Sequence, residues 1–174
     1  YSHAPDAHWP FAFSVRQRFV LTPEALEVHL AFTNQHTQNQ PVGLGWHPYF
    51  PKRQRSRLHI ELAERWDSDA SGLPTRHVPQ PGIDGDVAHL AFDNCFGGWK
   101  GAARIRDEKL SLRLTSSAPY LVVFTPGDKP YYCVEPVTHV SNAIHMADPA
   151  AHGLQSVEPG RTVDAWMKLE IGRA

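Results

Sequence analysis

The feature that most limits how this chain folds is a period of two. Leu26, Val28, Leu30 and Phe32 are apolar at every second position, as a strand with one buried face requires. Phe13–Leu21 precedes them across the turn residues Thr22, Pro23, Glu24 and Ala25, which predicts a β-hairpin. The same grammar recurs at Ala103–Arg106, a polar turn at Asp107–Lys109, and Leu110–Leu114. Tyr120–Thr125 and Tyr131–Glu135 read as buried strands, and Val163, Ala165, Met167, Leu169 and Ile171 as a closing strand. Between them, Asp67–Asp86 and Ser141–Gly160 are rich in turn-forming residues and are expected to be excursion loops. Fifteen prolines, twelve glycines and no sustained helical spacing agree with short strands joined by turns. The expected fold is all-β, an antiparallel β-sandwich whose site lies in loops at the sheet ends or on a concave face.

A length of 174 residues suits one domain, 1–174, with a sizeable core. The formal charge of -1 offers no electrostatic footprint for nucleic acid or anionic lipid, so neither is expected as a partner. No apolar run approaches the roughly 20 residues that span a bilayer, and the opening residues lack the pattern of a signal peptide. Cys95 and Cys133, far apart in sequence, form neither a zinc motif nor a disulfide framework, so a cytoplasmic location is the default expectation. The chain begins with Tyr1 and not Met, and the expectation is a processed or truncated piece of something longer.

Three segments carry candidate chemistry. Gly43–Pro51 packs two glycines, two prolines, three aromatics and a histidine into nine positions. Pro48 pushes His47 toward extended backbone, while Gly43 and Gly45 permit close backbone approach. Trp46 and Tyr49, with Phe50, offer flat faces that suit the C–H face of a sugar ring; the alternative is that these aromatics are core and the histidine is scaffolding. Glu135 ends an apolar strand, where burial raises a carboxyl pKa toward that of a useful base; alternatively it points to solvent or pairs with an arginine. A proline follows directly here too. Asp93 stands among aromatics before Gly97, Gly98 and Trp99, placed either to accept hydrogen bonds from hydroxyls or to satisfy its own backbone as an Asx turn.

Taken in order, Gly45–Phe50, Phe92–Phe96 and Val134–Thr138 resemble the aldose 1-epimerase, or galactose mutarotase, family, and the Phe32–Asn34 strand end and Leu154–Thr162 extend the resemblance over nearly the whole chain. The resemblance implies a large β-sandwich of the mutarotase type, with His47 as the acid that protonates the ring oxygen, Glu135 as the base at the C1 hydroxyl and Asp93 holding sugar hydroxyls. Members of that family are longer at the N-terminus, where the resemblance places a second active-site histidine and a substrate-binding arginine. His3, His8, His29 and His36 lie in other surroundings and match neither. The sandwich is therefore expected to be incomplete at its N-terminal side, with exposed edges that favour aggregation or a homodimer.

Mutarotation needs a base and an acid on two oxygens of one anomeric carbon, and no metal or organic cofactor. Glu135 and the nearest His47 nitrogen are then expected to face one cleft, roughly 4–8 Å apart, with Asp93 on its wall and Trp46, another aromatic of that segment, or Trp99 lining it. The partner implied is a small-molecule sugar. Alternatives are a hexose-6-phosphate 1-epimerase, for which Arg53, Arg55 and Arg57 offer a phosphate cluster or else a solvated strand face, and a non-catalytic carbohydrate-binding sandwich. A glycoside hydrolase lacks a second carboxylate in a context like that of Glu135.

Overall fold

The computed structural model describes residues 1–172, and antiparallel strands dominate it. The first half of the chain forms β1 (Ser2–His3), β2 (Phe13–Leu21), β3 (Ala25–Asn34), β4 (Gln40–Val42), β5 (Tyr49–Pro51), β6 (Arg57–Ile60), β7 (Glu64–Ser68), β8 (Pro74–Pro79) and β9 (Ile83–Asp86). The second half forms β10 (Asp93–Gly97), β11 (Ala102–Arg106), β12 (Ser111–Ser116), β13 (Tyr120–Phe124), β14 (Tyr131–Val137), β15 (Gln155–Val157) and β16 (Thr162–Gly172). An eight-stranded sheet runs β1-β2-β3-β16-β12-β11-β6-β9, a six-stranded sheet runs β5-β14-β13-β10-β7-β8, and β15 pairs with β4.

Alternation decides what lies between the sheets. Phe50, Phe96, Leu121, Val123, Tyr132 and Val134 of the six-stranded sheet meet Leu58, Ile60, Ala103, Ile105 and Leu114 of the larger one. Trp99 joins this core because Gly98, at φ 64°, turns the chain back inward after β10. A second cluster packs Trp46 on Val28, Ala165 and Met167 of the larger sheet. The expected hairpins appear as β2–β3 and β11–β12, and the closing strand as β16.

The Asp67–Asp86 expectation is corrected: this segment holds β8, β9 and the end of β7. Both new strands are sheet edges, where Pro74 and Pro79 at the ends of β8 and Gly85 in β9 are tolerated because one side of the strand has no ladder to complete. Ser141–Gly160 stays largely irregular, with two short 3₁₀ turns at Ala143–His145 and Ala150–His152 before β15. It folds back on the outer face of the six-stranded sheet, where Met146, beside Val140, packs near Trp66 and Cys95.

Phe96 is fully buried between the sheets. Phe96→Ala is expected to lower unfolding free energy by about 3–5 kcal/mol, because the vacated volume cannot collapse between two rigid sheets. Denaturant melts would show a lower midpoint at unchanged slope, and a loss under about 1 kcal/mol would place the core elsewhere.

Candidate active site

The site follows from one strand register. The Gly43–Pro51 segment runs antiparallel to β14, with Gly45 opposite Val137 and Tyr49 opposite Cys133. These two pairs put His47 opposite Glu135. The Trp46 N–H donates to the Pro136 carbonyl at 3.1 Å, which makes Trp46/Pro136 a hydrogen-bonded pair and His47/Glu135 the adjacent non-hydrogen-bonded one, where facing side chains come closest. Gly45 makes the approach possible: a Cβ there would lie 2.8 Å from Val137 Cγ1 and 3.2 Å from the Pro136 carbonyl.

His47 Nε2 stands 3.4 Å from Glu135 Oε1, with the imidazole half exposed and the carboxylate side chain 11% exposed. This is closer than the expected 4–8 Å, a direct contact with no room for a bridging water. Tyr49, two residues on and so on the same face, lies over the imidazole with ring centroids 4.6 Å apart and planes 15° from parallel. Cys133, two residues before Glu135, is fully buried beside them, and its thiol, His47 and Glu135 offer ligand atoms all within 4.8 Å of one another. Asp93 sits opposite Phe124, which sits opposite Cys133, so the ladder carries Asp93 onto the same outer face two strands away. Its side chain is exposed.

Burial pushes the Glu135 carboxyl up to about 7, the His47 charge opposes that rise, and the Asp93 charge adds to it. Val122, opposite Glu135, belongs with Tyr120, Val137 and Met146 to an apolar layer packed on Trp66, Cys95 and Val140. Burial also holds the Cys133 thiol up at about 11, with the neighbouring Glu135 charge adding to the shift.

Two expected lining residues belong elsewhere. Trp46 precedes His47, so alternation sends its indole to the opposite face, into the core cluster on the larger sheet. Trp99 donates its indole N–H to the Ala102 carbonyl at 2.9 Å and is core between the sheets. Tyr49 is the expected aromatic of the His47 segment that does lie on the site face, with Tyr131 of β14 edge-on to it at 5.0 Å and Phe124 of β13 on the same face. Of the three arginines after His47, Arg53 and Arg57 lie away from this face. Arg53 pairs with Asp107 at 3.0 Å, and Arg57 on β6 of the larger sheet pairs with Asp84 and Asp86, so both are committed to carboxylates.

The Aldose 1-epimerase family model matches residues 1–170. The chain belongs to the aldose 1-epimerase family. A curated relative, the uncharacterized protein YphB of Escherichia coli (strain K12), is 30% identical over 178 residues, covering 92% of this chain and 61% of its own length. Among solved structures, the Slr1438 protein from Synechocystis sp. PCC 6803 is 26% identical, with a TM-score of 0.81 over 99% of this chain and 60% of that one. A galactose mutarotase-like protein from Clostridium acetobutylicum, 20% identical, superposes with a TM-score of 0.87 over 100% of this chain and 61% of that one, a likeness of fold. The chain thus spans about 61% of the length of the curated relative.

The motif reading missed Cys133 and Phe124. Cys133 was legible in principle, because its spacing of two puts it on the same strand face as Glu135; Phe124 was not, because placing it needs the β13–β14 register. The two charges flanking Glu135 act in opposite senses. His47→Asn removes a charge that favours the carboxylate, so the Glu135 titration is expected to move above about 7, while Asp93→Asn removes one that disfavours it and moves the titration down. Carbon-detected NMR of the Glu135 carboxyl reads both, and shifts of the same sign would contradict the geometry.

Proposed function

We propose that the protein interconverts the α and β anomers of a hexose, with Glu135 as the general base and His47 as the general acid. The observation that carries this reading is the 3.4 Å approach of His47 Nε2 to Glu135 Oε1 on one sheet face, across 88 positions of sequence. The anomeric hydroxyl and the ring oxygen share one carbon, so a base and an acid standing side by side can reach both oxygens at once. Glu135 takes the proton of the C1 hydroxyl while protonated His47 gives one to the ring oxygen. The C1 to ring-oxygen bond breaks to leave the open-chain aldehyde, rotation about C1–C2 presents its other face, and the reverse transfers close the ring and restore both groups.

The environment suits these roles. A carboxyl raised to about 7 is a stronger base than an ordinary one and still ionises near neutrality, and the imidazolium beside it favours that ionised form. Tyr49 gives His47 a defined plane, and exposed Asp93 is placed to accept hydrogen bonds from sugar hydroxyls. The pairing of Arg53 and Arg57 with carboxylates away from this face favours a neutral hexose over a sugar phosphate.

Glu135→Gln and His47→Asn are each expected to slow mutarotation of a freshly dissolved pure anomer by at least about 10²-fold, followed by polarimetry, with circular dichroism unchanged. Activity is expected to fall on the acid side as pH drops through about 7, because the base must be unprotonated. Near-normal turnover in either variant would remove that residue from the mechanism. Sugar binding with no acceleration in the unsubstituted protein would favour a non-catalytic carbohydrate-binding role.

A further inference from the structure

Cys133 has no part in the proton transfers, yet it completes a cluster of three different donor types. The imidazole of His47, the thiol of Cys133 and the carboxylate of Glu135 bring one ligand atom each to within 4.8 Å of the others. Sequence spacing hides this set, because no two of these residues form a recognised metal motif; the β5–β14 register assembles it. We propose that these three side chains form a binding site for a borderline-soft divalent transition ion, Zn²⁺ in particular, and that the ion occupies the ground on which the sugar would react.

The donor chemistry selects the ion. One nitrogen, one sulfur and one oxygen is a set that zinc accepts readily, whereas magnesium and calcium take oxygen ligands only. Tetrahedral zinc with ligand distances of about 2.0–2.3 Å needs donor atoms roughly 3–4 Å apart. His47 Nε2 and Glu135 Oε1 already stand at 3.4 Å, so only the thiol side of the triangle must close, by an ångström or so of side-chain adjustment. Three protein ligands leave the fourth position to water, and the half-exposed imidazole leaves a path for entry. Cys133 gives up its thiol proton to solvent as the sulfur coordinates, and ionised Glu135 and neutral His47 bind through their lone pairs. The ion thereby takes both proton-transfer groups out of use at once. Buried Cys95 has no such company: it packs against Trp66 and Val140.

Metal binding is read without sugar, and only the claim that zinc blocks turnover rests on the function proposed above. A protein that binds the ion but turns over no sugar would refute that function and leave the site standing. Titration of the metal-free protein with Co²⁺ is expected to give one ion per chain and a near-ultraviolet thiolate-to-cobalt band that Zn²⁺ abolishes by displacement. Cys133→Ser is expected to lose the band and Cys95→Ser to keep it. His47→Asn and Glu135→Gln are each expected to weaken Zn²⁺ binding by at least about tenfold in calorimetry, since losing even an outer partner of a ligand costs that much. If Cys133→Ser fails to fold, as circular dichroism would reveal, the half-exposed His47 position decides by its affinity loss. Absence of the band at excess Co²⁺, its survival in Cys133→Ser, or Zn²⁺ affinity unchanged in both His47→Asn and Glu135→Gln would overturn the proposal.

Discussion

Everything at the site depends on the antiparallel register between β14 and the segment that ends in β5. With Gly45 opposite Val137 and Tyr49 opposite Cys133, residues on the two strands meet in fixed pairs, and the period of two sorts them into faces. His47, Tyr49, Cys133 and Glu135 go outward. Trp46, Phe50, Tyr132 and Val134 go inward, where each is buried. A slip of one residue would exchange the two sets, putting a carboxylate and an imidazole into the core and aromatic rings into water, so the same burial that stabilises the sandwich holds the His47/Glu135 pair in place. The candidate site is not a loop resting on a scaffold. It is the outer half of a strand pair whose inner half is the core.

That placement has an electrostatic cost. A group buried on a sheet face loses much of its water, and Glu135 responds with a carboxyl raised to about 7. The native state therefore holds this proton more tightly than an unfolded chain would, so stability contributed by the protonated form declines as pH rises from the ordinary carboxyl range through about 7. The charged form present above that range is the less stable one for the fold and the one a base needs. The imidazole at 3.4 Å offsets part of that cost, which is a reason for the pair to be in direct contact and not held apart by solvent.

The sequence made the long elements legible because alternation over seven or more residues leaves one reading, as in β3 and β16. Edge strands β8 and β9 were hidden: their prolines, glycine and acidic residues are what an edge tolerates, and the same composition spells a loop when neighbours are unknown. Within the site, His47, Glu135 and Asp93 stood out as isolated polar residues among apolar ones, and the structure brings them to one face. Trp46 and Trp99 were read from proximity in sequence, but adjacency along a strand means opposite faces, so nearness to His47 was evidence against Trp46 lining the same cleft. Trp99 needed knowledge of how the chain turns at Gly98.

The prolines that follow His47 and Glu135 acquire a clearer meaning from the ladder. Trp46 and Pro136 face each other as a hydrogen-bonded pair, and such a pair ordinarily exchanges two bonds; here only the one from the Trp46 N–H exists, because Pro136 has no N–H to return. Pro48, on the other side of His47, likewise has none to give. The ladder is thus thinned on both sides of the His47/Glu135 pair, between the bridge at Gly45 and the regular pairing that starts at Tyr49. Backbone hydrogen bonds alone would leave this stretch loosely held. Each proline compensates by restricting the residue before it to extended conformation, and those residues are His47 and Glu135. Local stiffness stands in for the missing bonds at the two positions whose side chains must hold their direction, while the strands on either side keep them at the closest spacing an antiparallel pair allows.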